Sequence, residues 1–126
     1  MTQYFLTIPH DTADEPTMES MQDFDPAALE EMIAAVDKLN SDLKRAGAFV
    51  TAGGLQPPST ATVVDATGAE AVRTPGPFVD ATAYVGGFWI IDAPDEETAL
   101  AWAEQVSAAL SSRIEVRALQ EDPDHA

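Results

Sequence analysis

Few side chains in this sequence could move a proton. His10 follows Pro9 at the end of an apolar stretch and is the one histidine outside the C-terminal tail. Its imidazole titrates near neutrality, so it could act as an acid or a base once a partner orients it. Asp11 adjoins it, but successive residues of a strand point to opposite faces. Asp80, at the end of the loop Thr74-Pro75-Gly76-Pro77-Phe78-Val79-Asp80, is the better carboxylate partner if the loops converge. His10 and Asp80 are therefore the candidate catalytic pair. Gln56, in Gly53-Gly54-Leu55-Gln56-Pro57-Pro58, offers one amide acceptor and two donors, enough to orient a small polar ligand. Gly76 between two prolines makes a rigid corner, because proline locks φ while glycine accepts positive φ. Phe78 and Tyr84 could wall a pocket beside it. Each residue also has a plainer reading. Strand-end histidines are commonly solvated, proline-rich corners need no ligand, and aromatics beside a central strand usually belong to a core or an interface.

The elements that must position these residues follow from periodicity. Tyr4-Phe5-Leu6-Thr7-Ile8 reads as a first strand stopped by Pro9. The acidic segment 11–23 reads as a surface loop. Asp25 and Pro26 mark a helix start, with Phe24 placed to staple onto Leu29. Leu29, Met32, Ile33, Val36, Leu39 and Leu43 keep a 3.6-residue period up to Gly47, predicting one face packed on a sheet. Ala48 to Ala52 reads as a strand broken by Gly53-Gly54. Segments 60–64 and 69–73 read as a hairpin with Gly68 at its positive-φ position.

Gly86-Gly87 launches Phe88-Trp89-Ile90-Ile91, four large apolar residues in a row, which predicts a central strand buried on both faces. Pro94 with Asp95, Glu96 and Glu97 opens a second helix, whose apolar face is Ala99, Trp102, Ala103, Val106 and Leu110. Arg113 to Leu119 alternates like a last strand, and 120–126 reads as a polar tail. This order predicts an α+β ferredoxin-like sandwich, an antiparallel sheet with two helices on one face. The doubly apolar strand then predicts sheet-to-sheet homodimerisation, since a monomer would expose Trp89, Ile91 or their neighbours.

Composition narrows the chemistry. With no cysteine there is no thiol catalysis and no zinc-thiolate site. No phosphate-binding glycine loop, Ser-His-Asp order or cluster of metal ligands stands out, so no cofactor and no metal is expected. Six basic against 22 acidic residues leave a net charge of −16, which repels phosphate backbones and anionic lipid. Direct nucleic-acid binding is not expected. Solubility or salt adaptation accounts for the charge more simply than recognition of a basic partner. No apolar run reaches the roughly 18 residues of a membrane span, and no secretion signal stands at the start, so the expectation is a cytoplasmic protein.

Gly53-Gly54-Leu55-Gln56-Pro57-Pro58-Ser59-Thr60-Ala61-Thr62, then Gly76-Pro77-Phe78, then Gly86-Gly87-Phe88-Trp89, together resemble the YCII-related proteins of the Asp-Gly-Pro-Phe (DGPF) type. The resemblance covers nearly all of a single domain, 1–126. It implies a dimeric α+β barrel of largely undefined biochemistry, in some relatives encoded beside or fused to an extracytoplasmic-function sigma factor. The family aspartate falls on Pro75, and the charged run after the phenylalanine falls on Asp80-Ala81-Thr82-Ala83, where Asp80 alone keeps its charge. A histidine–aspartate pair suspected in an enzyme branch falls on Ala28 and Ser59. Three readings follow: a ligand-binding or regulatory dimer, an enzyme using His10 and Asp80 on a small molecule, or a structural partner of a sigma factor. The first is favoured, because the glycine and proline scaffold is kept while the ionisable positions are replaced.

Overall fold

Alternation along two long central strands decides the architecture of the computed structural model, which describes residues 2–10, 26–79 and 81–120. Strand β1 (Thr2–His10) runs antiparallel to β5 (Tyr84–Ala93), pairing Tyr4 with Ile91 and Leu6 with Trp89. These four side chains are buried on one face. Helix α1 (Pro26–Arg45) brings Leu39 and Leu43 to that face, and helix α2 (Glu96–Leu110) brings Ala99, Ala103 and Val106, closing one hydrophobic core. Leu6, Leu43, Ile91 and Val106 are fully enclosed, and truncating such a residue to alanine costs about 2–5 kcal/mol.

The remaining strands complete a four-stranded antiparallel sheet in the order β2-β5-β1-β6, with β2 at Phe49–Gly54 and β6 at Glu115–Ala118. This is the expected α+β ferredoxin-like arrangement. A separate two-stranded hairpin, β3 (Thr62–Asp65) with β4 (Val72–Pro75), stands between β2 and β5 in sequence. The other face of the main sheet carries the alternate residues: Phe5 opposite Ile90, and Thr7 opposite Phe88. Both helices pack on the Leu6–Trp89 side, so neither covers these. Trp89 and Ile91 are therefore core residues, and it is their neighbours Phe88 and Ile90 that face away from the helices.

Several local expectations are corrected. Pro9 does not stop β1, which continues to His10; proline is tolerated because the ladder is irregular there and β6 pairs only with Tyr4 to Thr7. Between Ile8 and Pro9 the register skips one residue of β5, Gly86, so that Ile8 meets Gly87 while Pro9 meets Val85. Gly53 and Gly54 do not break β2 but pair with Phe88 and Gly87. The tight position is their neighbour Gly87, where a Cβ would come within 3.3 Å of both the Gly53 carbonyl and Ile8. The hairpin closes on Asp65 and Val72, where Val64 and Ala69 were expected. Gly68 is not at positive φ; the turn is held instead by Asp65, which accepts from the Thr67 amide at 3.0 Å and hydroxyl at 2.6 Å.

The helix boundaries behave as read. α1 begins at Pro26 and ends before Gly47, whose φ is +71°. Its apolar stripe divides unevenly, for Leu39 and Leu43 are buried while Leu29 is 38% and Ile33 is 51% exposed. Asp25, Phe24, the loop 11–23 and the tail beyond Gln120 lie outside the described residues. Asp95 caps α2 by accepting from the Thr98 amide at 2.8 Å and hydroxyl at 2.7 Å. The helix closes on Ser111 at φ 51°, while the Ser107 hydroxyl donates to the Ser112 carbonyl at 2.6 Å. No described helix is long and apolar enough to cross a membrane.

Candidate ligand-binding site

At the end of the sheet where β1 finishes and β5 begins, the two proline-rich segments meet. Pro57 and Pro58 lead into a single helical turn, Pro58–Thr60, in which the Thr60 hydroxyl donates to the Pro57 carbonyl at 2.6 Å. The Gly76 amide donates to the Ala61 carbonyl at 2.7 Å, which fastens the Pro75-Gly76-Pro77 corner to that turn. Gly76 has a φ of +105°, the conformation for which a glycine was expected there. Leu55 donates its amide to the Gly86 carbonyl at 2.8 Å and ties the same segment to β5.

These contacts enclose a cleft of about 350 Å³ lined by Gln56, Pro57, Pro58, Pro77, Tyr84 and Val85, among others. A second cleft of about 330 Å³ adjoins it across Tyr84 and Val85, with Thr7, Pro9, Arg113 and Glu115 on its walls. The first is mostly apolar, with the Gln56 amide at its margin. The second has a guanidinium and a carboxylate on its lining. Volumes of this size suit a metabolite-sized molecule.

The expected site residues separate into two groups. Gln56 and Tyr84 come together in the first cleft. Gly76 holds the corner beside it through its amide. Phe78 is 88% exposed and lines none of the clefts described here, so it is not the wall it was expected to be. It follows Pro77 around the outside of the corner.

Tyr84 does wall both clefts, but its hydroxyl serves the loop. It accepts from the Ala81 amide at 2.9 Å and donates to the Val79 carbonyl at 3.0 Å. Asp80 and the His10 side chain lie outside the described residues. Their chain neighbours converge, since His10 pairs in register with Tyr84.

A third cleft, of about 360 Å³, opens on the helix side of the sheet between Val36 and Asn40 of α1 and the glycines of β2 and β5. Asn40 was not singled out by its sequence, although it stands four residues after Val36 and three before Leu43, inside the apolar stripe. A polar residue at that phase was the available signal. Its Oδ1 accepts the Trp89 indole N–H at 2.8 Å.

Among the described residues three carboxyls are lowered from their ordinary value: Asp65 and Asp95 through hydrogen bonds from Thr67 and Thr98, and Asp42, where loss of water pushes upward but is outweighed by contacts from Lys38 and Arg45. None of them lines the three clefts described above. Among the described residues no group of three or more His, Asp or Glu is arranged to hold a metal ion.

The model of the YCII-related domain matches residues 4–121, from Tyr4 in β1 to beyond β6, and so includes both described helices and the three clefts above. No curated protein matches the chain.

Proposed function

Because the chain belongs to the YCII-related domain family, we propose that it is a dimeric module that binds a small organic molecule at the strand ends. The observation that carries this reading is the cleft in which Gln56 and Tyr84 meet, braced by the Gly76–Ala61 and Leu55–Gly86 backbone hydrogen bonds. A site held by backbone contacts is ordered before its ligand arrives, which lowers the entropic cost of binding. Gln56 orients a polar group, and the prolines and the Tyr84 ring cover apolar surface. The dimer half of the proposal rests on Phe5, Phe88 and Ile90, apolar side chains on the face that neither helix covers.

Acid–base chemistry by His10 and Asp80 is the second reading. It is favoured by one relationship: Tyr84, the register partner of His10, also binds the residues on either side of position 80. Removal of a general base lowers turnover by about 10²-fold or more, whereas a binding module loses only affinity.

A thermal-shift screen of small metabolites tests the proposal, since a ligand that binds only the native state raises its stability by mass action. Hits should be lost in Gln56→Ala and retained in Phe78→Ala. Hits that survive Gln56→Ala would place the ligand elsewhere.

A further inference from the structure

The cleft between α1 and the glycine-rich end of the sheet has a different chemistry from the strand-end site. Among the described residues its walls include Ile8, Val36 and Trp89, the glycines Gly53-Gly54 and Gly86-Gly87, and a single amide side chain, Asn40. Trp89 is only 5% exposed, and its indole N–H can donate but not accept. The Asn40 oxygen must therefore face the indole, as the 2.8 Å contact requires. What Asn40 has left is its NH₂ group, for which no acceptor stands within hydrogen-bond distance among the described residues. A donor on an apolar wall is the complement of a ligand oxygen.

Two further observations narrow the ligand. A Cβ built on Gly54 meets nothing within 4 Å, so the space over this glycine is empty and a flat group can lie against the backbone there. Among the described residues no ionisable side chain lines the cleft. In a chain of net charge −16, an anion would meet no cation among those residues.

We propose that this cleft is a second binding site, specific for a neutral, flat organic molecule whose carbonyl oxygen accepts from Asn40. The glycine pairs keep the wall thin, and the Trp89 indole locks the Asn40 amide so that it presents donors and not its oxygen. The site shares no described lining residue with the Gln56 cleft, so the two proposals stand or fall separately.

Three isosteric probes test it: acetophenone, α-methylstyrene and benzoate, which place a carbonyl, a hydrocarbon and a carboxylate on one ring. Titrations followed by the amide resonances of Gly53, Gly54, Gly86 and Gly87 should rank acetophenone first. One neutral hydrogen bond corresponds to a preference over α-methylstyrene of about fivefold. Asn40→Asp retains an oxygen for the indole but lacks the NH₂, and should abolish that preference. Gly54→Val fills the empty space and should weaken all three probes, while Gln56→Ala should leave them unchanged. Equal affinity for acetophenone and α-methylstyrene in the native chain would overturn the proposal. So would an acetophenone preference that survives Asn40→Asp, or shifts unaffected by Gly54→Val. Should Asn40→Asp fail to fold, the ranking of the probes and the Gly54→Val result still decide it.

Discussion

Phe5 and Phe88 lie with ring centroids 5.6 Å apart on the sheet face opposite both helices. Their planes are tilted by 40°, and with Ile90 they make an apolar centre on that face. The expected species in sedimentation at micromolar concentration is twice the 13.4 kDa chain mass. Ile90→Gln should give a folded monomer, with circular dichroism unchanged, if two copies pack through this face. A monodisperse native monomer refutes the pairing.

The Asn40–Trp89 hydrogen bond joins α1 to the centre of the sheet. Asn40→Ala leaves the buried indole N–H without its partner, a loss of about 1–3 kcal/mol in urea unfolding. Asn40→Asp, which keeps an oxygen in place, should retain most of that stability. Equal losses in the two variants would show that the amide contributes by packing alone.

Tyr84→Phe removes the hydroxyl that bridges Val79 and Ala81 while keeping the ring that walls both clefts. Global stability should fall by no more than about 1 kcal/mol, because the bridge sits at the surface. Hydrogen exchange at Ala81 should quicken markedly, and affinity for any ligand of the Gln56 cleft should weaken. Unchanged exchange at Ala81 would mean that the loop is held by other contacts.

Acid should loosen α2 at its cap. The Asp95 carboxyl sits below its ordinary 3.8 because the Thr98 hydroxyl and amide stabilise its charged form. A group depressed on folding contributes its stability above the unfolded pKa and loses it as the pH falls through the folded one. Native unfolding free energy should thus decline more steeply from about pH 4 downward than that of Asp95→Asn, whose amide also caps but does not titrate. Parallel acid limbs would exclude the cap from the pH response. Asp65 at the β3–β4 turn carries a shift of the same sign, and Asp65→Asn isolates its share.

The parts of this fold legible in the sequence are those where one local signal dominates. Pro26 and Gly47 bracket α1, Pro94 and the acids after it mark the start of α2, and the run from Phe88 to Ile91 lies in the central strand because no loop could carry so much apolar surface. Misreadings arose where a residue's usual local meaning yields to its partner across the sheet. Gly53 and Gly54 look like a strand break, yet they are paired with Phe88 and Gly87 across the ladder. Pro9 looks like a stop, yet the irregular ladder beside it has no need of its missing N–H. The site was legible to the extent that its loops are stiff. Proline and glycine placed Gln56 and Gly76 at one corner, but no rule of spacing says on which side of that corner Phe78 emerges. Asn40 went unread because its role depends on Trp89, 49 residues away.

The skipped residue Gly86 also acts as a phase shifter. Strand side chains obey a strict parity, and one unmatched residue inverts it for everything beyond. On the core side of Gly86, odd-numbered residues of β5 face the helices; past it, Val85 pairs with Pro9 and so joins the opposite set. The side on which Tyr84 and the loop it grips present themselves is thus decided by a single backbone unit and not by the chemistry of either. Were Gly86 paired with Pro9 and not skipped, Val85 would meet His10, and Tyr84 and Val85 would exchange sides while every cleft-lining residue stayed chemically intact. In this chain a change of register at that point is a change of binding surface.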